Sequence, residues 1–380
     1  MDRAGRSHLR RSQSAAFPAW AAMPPGARQK LFLSAADIVE RRMEELVELM
    51  AVEGGASRAF SSFQVRLSAA MLRQAAGWGY LPAGDILRSD VPGRTAMVTR
   101  KPLGVVAGFT PWNGAFYLAC INFTGSDKTA RILGAQAGRA LKRMVLELGG
   151  FNPVLVLDDA DLEESIKAVT FGAFLHQGQV CMNTRKVYVD SSIHDEFVSG
   201  LADRVRALKS GDPIDPEVII GPLINDDAVA QIELRVQDAV DRGATLVTGG
   251  QANGRIYPPT ILTDVPADAI CTTGADETFG PLLVVQRFDD AELALAEAQR
   301  TPYGLSAAIM TRDRARGLDM AQRVDSGIVH VNAPTMASEA ALPVGGVKDS
   351  GWGRSGHYAI EDFTELVLTT VSNGPGHYPF

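Results

Sequence analysis

The feature that most constrains this chain is its regular alternation of short apolar runs with amphipathic helical segments. FNPVLVLDD (151–159), KVYVD (186–190), LLVVQRF (282–288), SAAIM (306–310) and GIVHVN (327–332) are rich in β-branched and apolar residues. Runs that are apolar at consecutive positions, not at every second one, read as strands buried on both faces. Between them, ADLEESIKAVTFGAF (160–174) and the segments 194–209 and 226–242 carry helical spacing. Strand–helix alternation at this interval implies an α/β architecture with largely parallel sheets. Upstream, residues 24–53 read as one long amphipathic helix, opened by Pro24 and Pro25 and stopped by Gly54 and Gly55. KPLGVVAGF (101–109) reads as a buried strand, and MVLELGG (144–150) as another.

Charge and cysteine content exclude several classes. The net charge of −7 over 380 residues argues against a general nucleic-acid surface. No apolar run approaches the roughly 18 residues of a membrane helix. Cys120, Cys181 and Cys271 are few and widely spaced, which suggests a reducing compartment and neither a disulfide scaffold nor a metal centre. Arg3, Arg6, Arg10 and Arg11 with Ser7, Ser12 and Ser14 resemble a transit peptide in composition, but Asp2 and the lack of an apolar face favour a frayed basic terminus and a cytoplasmic protein.

Five segments could carry chemistry. HQGQVCMNTRK (176–186) surrounds Cys181 with Gln177, Gln179 and Asn183, poor company for a cysteine acting as a small apolar residue. A nucleophilic thiol wants polar neighbours and partial exposure; a structural cysteine is the alternative. LELGG places Glu147 in an apolar strand ending in Gly149 and Gly150, where either a working carboxylate or an edge-strand residue facing water would stand. TPWNG puts Asn113 where its amide could face a developing oxyanion, or simply form a turn. ETFGP (277–281) brings Glu277 and Phe279 together in a turn. FTGSD (123–127) precedes a helix, so Gly125 and Ser126 could cradle a phosphate or merely cap it.

Taken together, TPWN, FTGS, LELGG, GQVC and ETFGP occur in the order found in aldehyde dehydrogenases, and the chain resembles that superfamily from about Phe17 to Thr370. GPLI (221–224), TPYGLSAAI (301–309) and PVGGVKDSGWGRSG (343–356) resemble its later landmarks, and GIVHVNAPTMASEAALPVGG (327–346) is similar to the branch acting on vanillin, salicylaldehyde and benzaldehyde. The resemblance implies an aldehyde-dehydrogenase-like α/β fold. Its parts would be a shortened Rossmann-like cofactor domain at 1–149, a catalytic domain at 150–343, and a return to the cofactor domain at 344–380. An oligomerisation element would pair 83–104 with the tail 357–380. The resemblance further implies oxidation of an aldehyde to its acid with NAD or NADP, in a homodimer or homotetramer. Cys181 would be the nucleophile, Asn113 the oxyanion donor and Glu147 the base that activates water. Glu277 would hold the nicotinamide ribose, Phe279 the ring, and Trp112, Gly125 and Ser126 would lie near the pyrophosphate.

The chain departs from the family between Asn113 and Phe123, where only GAFYLACIN replaces a long stretch carrying part of the nucleotide-binding fold. The adenine half of the cofactor site is therefore expected to be missing, and FYLACIN to form a new strand or a strained crossover. Asp127 and Val344 also depart, standing where Thr and Phe are usual. A non-catalytic oligomer partner, a cofactor-free esterase and a Cys–His hydrolase using His176 are the competing readings.

Overall fold

A computed structural model describes residues 15–91, 93–104, 106, 108–114 and 122–374. The largest sheet has seven strands in the order Ile328–Val331, Ser306–Met310, Val154–Val156, Lys186–Asp190, Leu282–Phe288, Thr260–Thr263, Thr245–Thr248. All neighbours are parallel except the last pair. Because side chains alternate across a strand, Val154, Val156, Val187, Val189, Leu283 and Val285 meet Val169, Phe174, Phe197 and Leu201 from helices Leu162–Phe174 and His194–Arg206. Leu155, Tyr188 and Ile309 point the other way, onto Leu295, Ala298 and Met320 from helices Ala291–Ala298 and Arg314–Gln322. Helices on both faces explain why the middles of these strands, 154–156, 187–189, 282–285 and 307–310, are apolar at consecutive positions. Phe174 has no exposed surface. Phe174→Ala is expected to cost about 3–5 kcal/mol in urea-induced unfolding, because the cavity left in a close-packed sheet–helix layer relaxes only partly.

A smaller sheet holds Asn122–Thr124 parallel to Val145–Glu147, with Gly351–Trp352 antiparallel on the far side. Beyond Asn122–Thr124 the only pairing among the described residues is an isolated bridge from Phe109 to Phe123. Phe109 is 57% exposed. Residues 115–121, where a new strand or crossover was expected, lie outside the described residues. A third, antiparallel sheet joins Gly84–Leu87, Arg94–Pro102 and Thr364–Ser372.

Two expected elements differ. The segment 24–53 is two helices, Pro25–Arg41 and Met43–Gly54, broken at Arg42 with φ −93° and ψ 17°. No glycine or proline marks the break. It lets Ala36 pack against Ala69 and Leu72 while Val47 and Met50 turn toward Phe60 and Met182. The strand expected at 101–109 instead runs from Arg94 to Pro102, largely exposed, inside the third sheet. Pro102 offers no donor to continue the ladder.

Candidate active site

Cys181 follows an unusual backbone. His176, Gln177 and Gly178 all have left-handed φ values, 51°, 54° and 69°. Such conformations cost free energy for residues with side chains and persist only when the surroundings hold them. The holding groups are visible. Gln177 Nε2 donates to Gly55 O at 2.9 Å and Pro222 O at 3.0 Å. Gln179 Oε1 accepts from the Ile224 N–H at 3.0 Å, and Asn183 Nδ2 donates to Ala173 O at 2.7 Å. A Cβ at Gly178 would overlap Gly280 O. Gln177, Gln179 and Asn183 are fully buried. Gln177, Gln179 and Asn183, read from the sequence as the polar neighbours a nucleophilic thiol wants, instead satisfy buried backbone groups and hold the loop from behind.

Two further side chains, which sequence reasoning missed, complete the support. Asn152 Nδ2 donates to Cys181 O at 2.7 Å and to Asn183 O at 2.8 Å, while its Oδ1 accepts from the Ser306 N–H at 3.1 Å. Arg185, also buried, donates to Gly178 O at 2.8 Å and Val180 O at 3.0 Å. A polar residue between Phe151 and Pro153, and a cation at the mouth of the strand KVYVD, were the available signals.

The thiol of Cys181 is half-buried and belongs to an apolar cluster with Phe60, Val180, Met182, Met336 and Val344. Burial, with the carboxylates of Glu277 and Glu147 nearby, pushes the thiol up to about 12; the Met182 N–H and Arg185 pull against this. Glu147 lies at the end of its strand, paired to Thr124 and Gly351. Burial raises its carboxyl to about 8, opposed by Arg354. Gly150 abuts the Cys181 carbonyl, where a Cβ would come within 2.7 Å. Gly149 abuts Glu277, whose Oε2 would lie 2.5 Å from such a Cβ. Glu277 accepts from the Gly150 N–H at 3.3 Å, and burial raises it to about 7. The two glycines thus let Glu277 and the Cys181 carbonyl approach the end of the strand that carries Glu147.

Asn113 sits in the short helical turn Trp112–Gly114. Its Nδ2 donates to Gln179 O at 2.8 Å, which ties it to the cysteine loop and leaves a second amide N–H. Trp112 meets Phe279 edge-on at 5.9 Å. Ser126 caps helix Asp127–Arg139, accepting from the Thr129 N–H at 3.3 Å, and Gly125 packs on the ring of Phe123. Lys128 pairs with Asp276 at 3.1 Å, which sets the helix start beside Glu277. His176 stacks on Phe60 at 4.4 Å, and neither ring nitrogen has a partner. It makes no hydrogen bond to Cys181, so the Cys–His hydrolase reading lacks the contact it requires.

Glu277, the Phe279 ring and the N-terminus of the helix that Ser126 caps are groups suited to a ribose, a flat ring and a phosphate, and these residues fit the nicotinamide end of a dinucleotide. The class this fold defines is an α/β enzyme, with a cysteine beside two buried carboxylates. The aldehyde dehydrogenase family model matches residues 6–121 and 117–368. Vanillin dehydrogenase of Pseudomonas fluorescens is 41% identical, over 96% of this chain and 89% of its own. The solved salicylaldehyde dehydrogenase of Pseudomonas putida G7, complexed with salicylaldehyde, superposes with a TM-score of 0.91 at 32% identity, covering 97% of this chain and 90% of that one. A glyceraldehyde-3-phosphate dehydrogenase from Methanocaldococcus jannaschii, complexed with NADP, gives 0.91 at 26% identity, covering 98% and 95%.

The chain belongs to the aldehyde dehydrogenase family, oxidoreductases that act on aldehydes with NAD(P). The alignment to the P. fluorescens enzyme spans 432 positions, although 96% of 380 residues is only about 365, so about 67 of its residues have no counterpart here. The two matched segments meet at 117–121, next to the edge strand Asn122–Thr124. No helix among the described residues is long and apolar enough to cross a membrane.

Proposed function

We propose that this chain oxidises aromatic aldehydes to carboxylic acids with NAD or NADP, through Cys181. The observation that carries this reading is the convergence of Cys181, Glu147 and Glu277 around Gly149 and Gly150. The thiol proton passes to Glu147, and the sulfur bonds to the aldehyde carbon. Asn113 Nδ2 and the Cys181 backbone N–H hold the resulting oxyanion, where each donor is worth about 3 kcal/mol. NAD(P), when bound, would supply the acceptor for the hydride on this carbon, and Cys181 would be left carrying the thioester. Once Glu147 has passed the thiol proton to solvent, it takes a proton from water, whose oxygen bonds to the thioester carbon; the C–S bond breaks, Cys181 leaves as the thiolate and the acid departs. Glu277 and Phe279 would hold the nicotinamide ribose and ring, and Trp112, Gly125 and Ser126 would hold the pyrophosphate. The apolar cluster of Phe60, Val180, Met182, Met336 and Val344 around the thiol suits an aromatic ring.

We also propose the division into a shortened cofactor domain at 1–149 with 344–380, and a catalytic domain at 150–343. The sheet of 84–87, 94–102 and 364–372 would be the oligomerisation arm of a homodimer or homotetramer. Its edge strand exposes Leu366 and Leu368 at 62% and 63%.

Purified protein given benzaldehyde or vanillin with NAD⁺ or NADP⁺ should form one acid per reduced nicotinamide, and light scattering should give a multiple of the chain mass. A folded protein with no turnover on any pairing overturns the activity; a monomer overturns the arm. Asp127 stands in the first turn of the helix that would face the pyrophosphate. Asp127→Asn is expected to tighten NAD(P)⁺ about 2- to 5-fold by calorimetry, with the gain shrinking in high salt, because one like charge near a helix N-terminus is removed.

A further inference from the structure

The chemistry above leaves the buried charge of Arg185 without a task. The side chain of Arg185 is 2% exposed. An isolated buried cation is expensive, so its partners should reveal its purpose. Nη1 donates to Gly178 O at 2.8 Å and Gly280 O at 3.4 Å, and Nη2 to Val180 O at 3.0 Å. Nη2 lies 3.8 Å from Glu277 Oε1, and the guanidinium sits 5.8 Å from the centre of the Phe279 ring. The carbonyls therefore come from two segments: Gly178 and Val180 from the loop leading to Cys181, and Gly280 from the turn that carries Glu277 and Phe279.

We propose that Arg185 is a positioning residue that fastens the Cys181 loop to the 277–281 turn and serves as the shared counter-cation of the Cys181 thiolate and the Glu277 carboxylate. A rigid fork of donors reaches three carbonyls at once, which a lysine cannot do. The charge has a separate consequence. The ionisable groups facing Cys181 are Glu277, Glu147 and Arg185; the two carboxylates oppose the thiolate and Arg185 alone among them favours it. Arg185 also favours the ionised form of Glu277. Geometry and charge can be separated by substitution.

This inference rests on Cys181 being the nucleophile. The test is the rate of Cys181 alkylation by iodoacetamide as a function of pH, read on the Cys181 peptide by mass spectrometry. Arg185→Met should slow alkylation about tenfold or more at pH 8 and move the profile to higher pH, since one unit in thiol pKa is a tenfold change in thiolate. Glu277→Gln should move it to lower pH. Arg185→Lys should keep the wild-type profile but lower kcat more than it raises KM, because the charge remains while the fork is lost. A folded Arg185→Met whose profile superimposes on wild type overturns the proposal. If that variant does not fold, an unmoved profile in Glu277→Gln does so. Full turnover by Cys181→Ala would instead sink the nucleophile reading itself.

Discussion

Aldehyde oxidation by a Cys181→Ala chain is expected to fall about 10⁴-fold or more, with the melting temperature nearly unchanged. The size follows from removing the atom that bonds to the substrate, for which no neighbour can substitute. Cys271, the other described cysteine, is buried in a separate cluster. The fold should tolerate the change because the Cys181 loop is held through its backbone. Asn152 binds the Cys181 carbonyl, Arg185 the carbonyls of Gly178 and Val180, and Gln177 anchors the preceding left-handed turn. The checks are steady-state acid formation beside a thermal melt by circular dichroism. Activity within tenfold of wild type would remove Cys181 from the mechanism.

Glu147→Gln should separate the two halves of the reaction. Without the base, hydrolysis of the thioester should slow by about 10²- to 10⁴-fold. A rapid burst of reduced nicotinamide, up to one per chain, should then be followed by a slow steady state. In the unchanged protein the carboxyl of Glu147 lies near 8, so its basic form grows as pH rises and kcat should climb through about pH 8 before levelling. In Glu147→Gln that rise should vanish. Stability carries an independent mark. Burial holds this carboxyl well above its ordinary value near 4.5, so its contribution to stability is complete below that value and is lost as pH rises through about 8. Glu147→Gln should therefore melt higher than wild type at pH 9 and much as wild type does at pH 4. A pH-independent kcat in wild type, or a variant with no burst and full turnover, would assign the base elsewhere.

The site was partly legible in the residues. Cys181, Glu147 and Glu277 could be singled out because each stands where its type is out of place: a thiol among amides, a carboxylate in an apolar strand, an acid beside aromatic and proline residues. Their meeting around Gly149 and Gly150 was not legible. It depends on strands at 145–147 and 282–288 that belong to different sheets. Arg185 and Asn152 were passed over for a related reason. Their value lies in carbonyl partners distant in sequence or spread over two loops, and nothing in their local spacing reports those partners.

The sequence alone determined the layered α/β fold, since consecutive apolar positions in 154–156, 187–189 and 282–285 are best buried between two layers of helices. It also determined the residue types of the site and the short connection after Asn113. Only the tertiary structure decided why the cysteine's neighbours are polar. Gln177, Gln179 and Asn183 bind backbone groups brought near by folding, from Gly55, Pro222, Ile224 and Ala173. A side-chain amide advertises that it needs partners; which partners it finds is fixed by packing, and packing is a property of the whole chain.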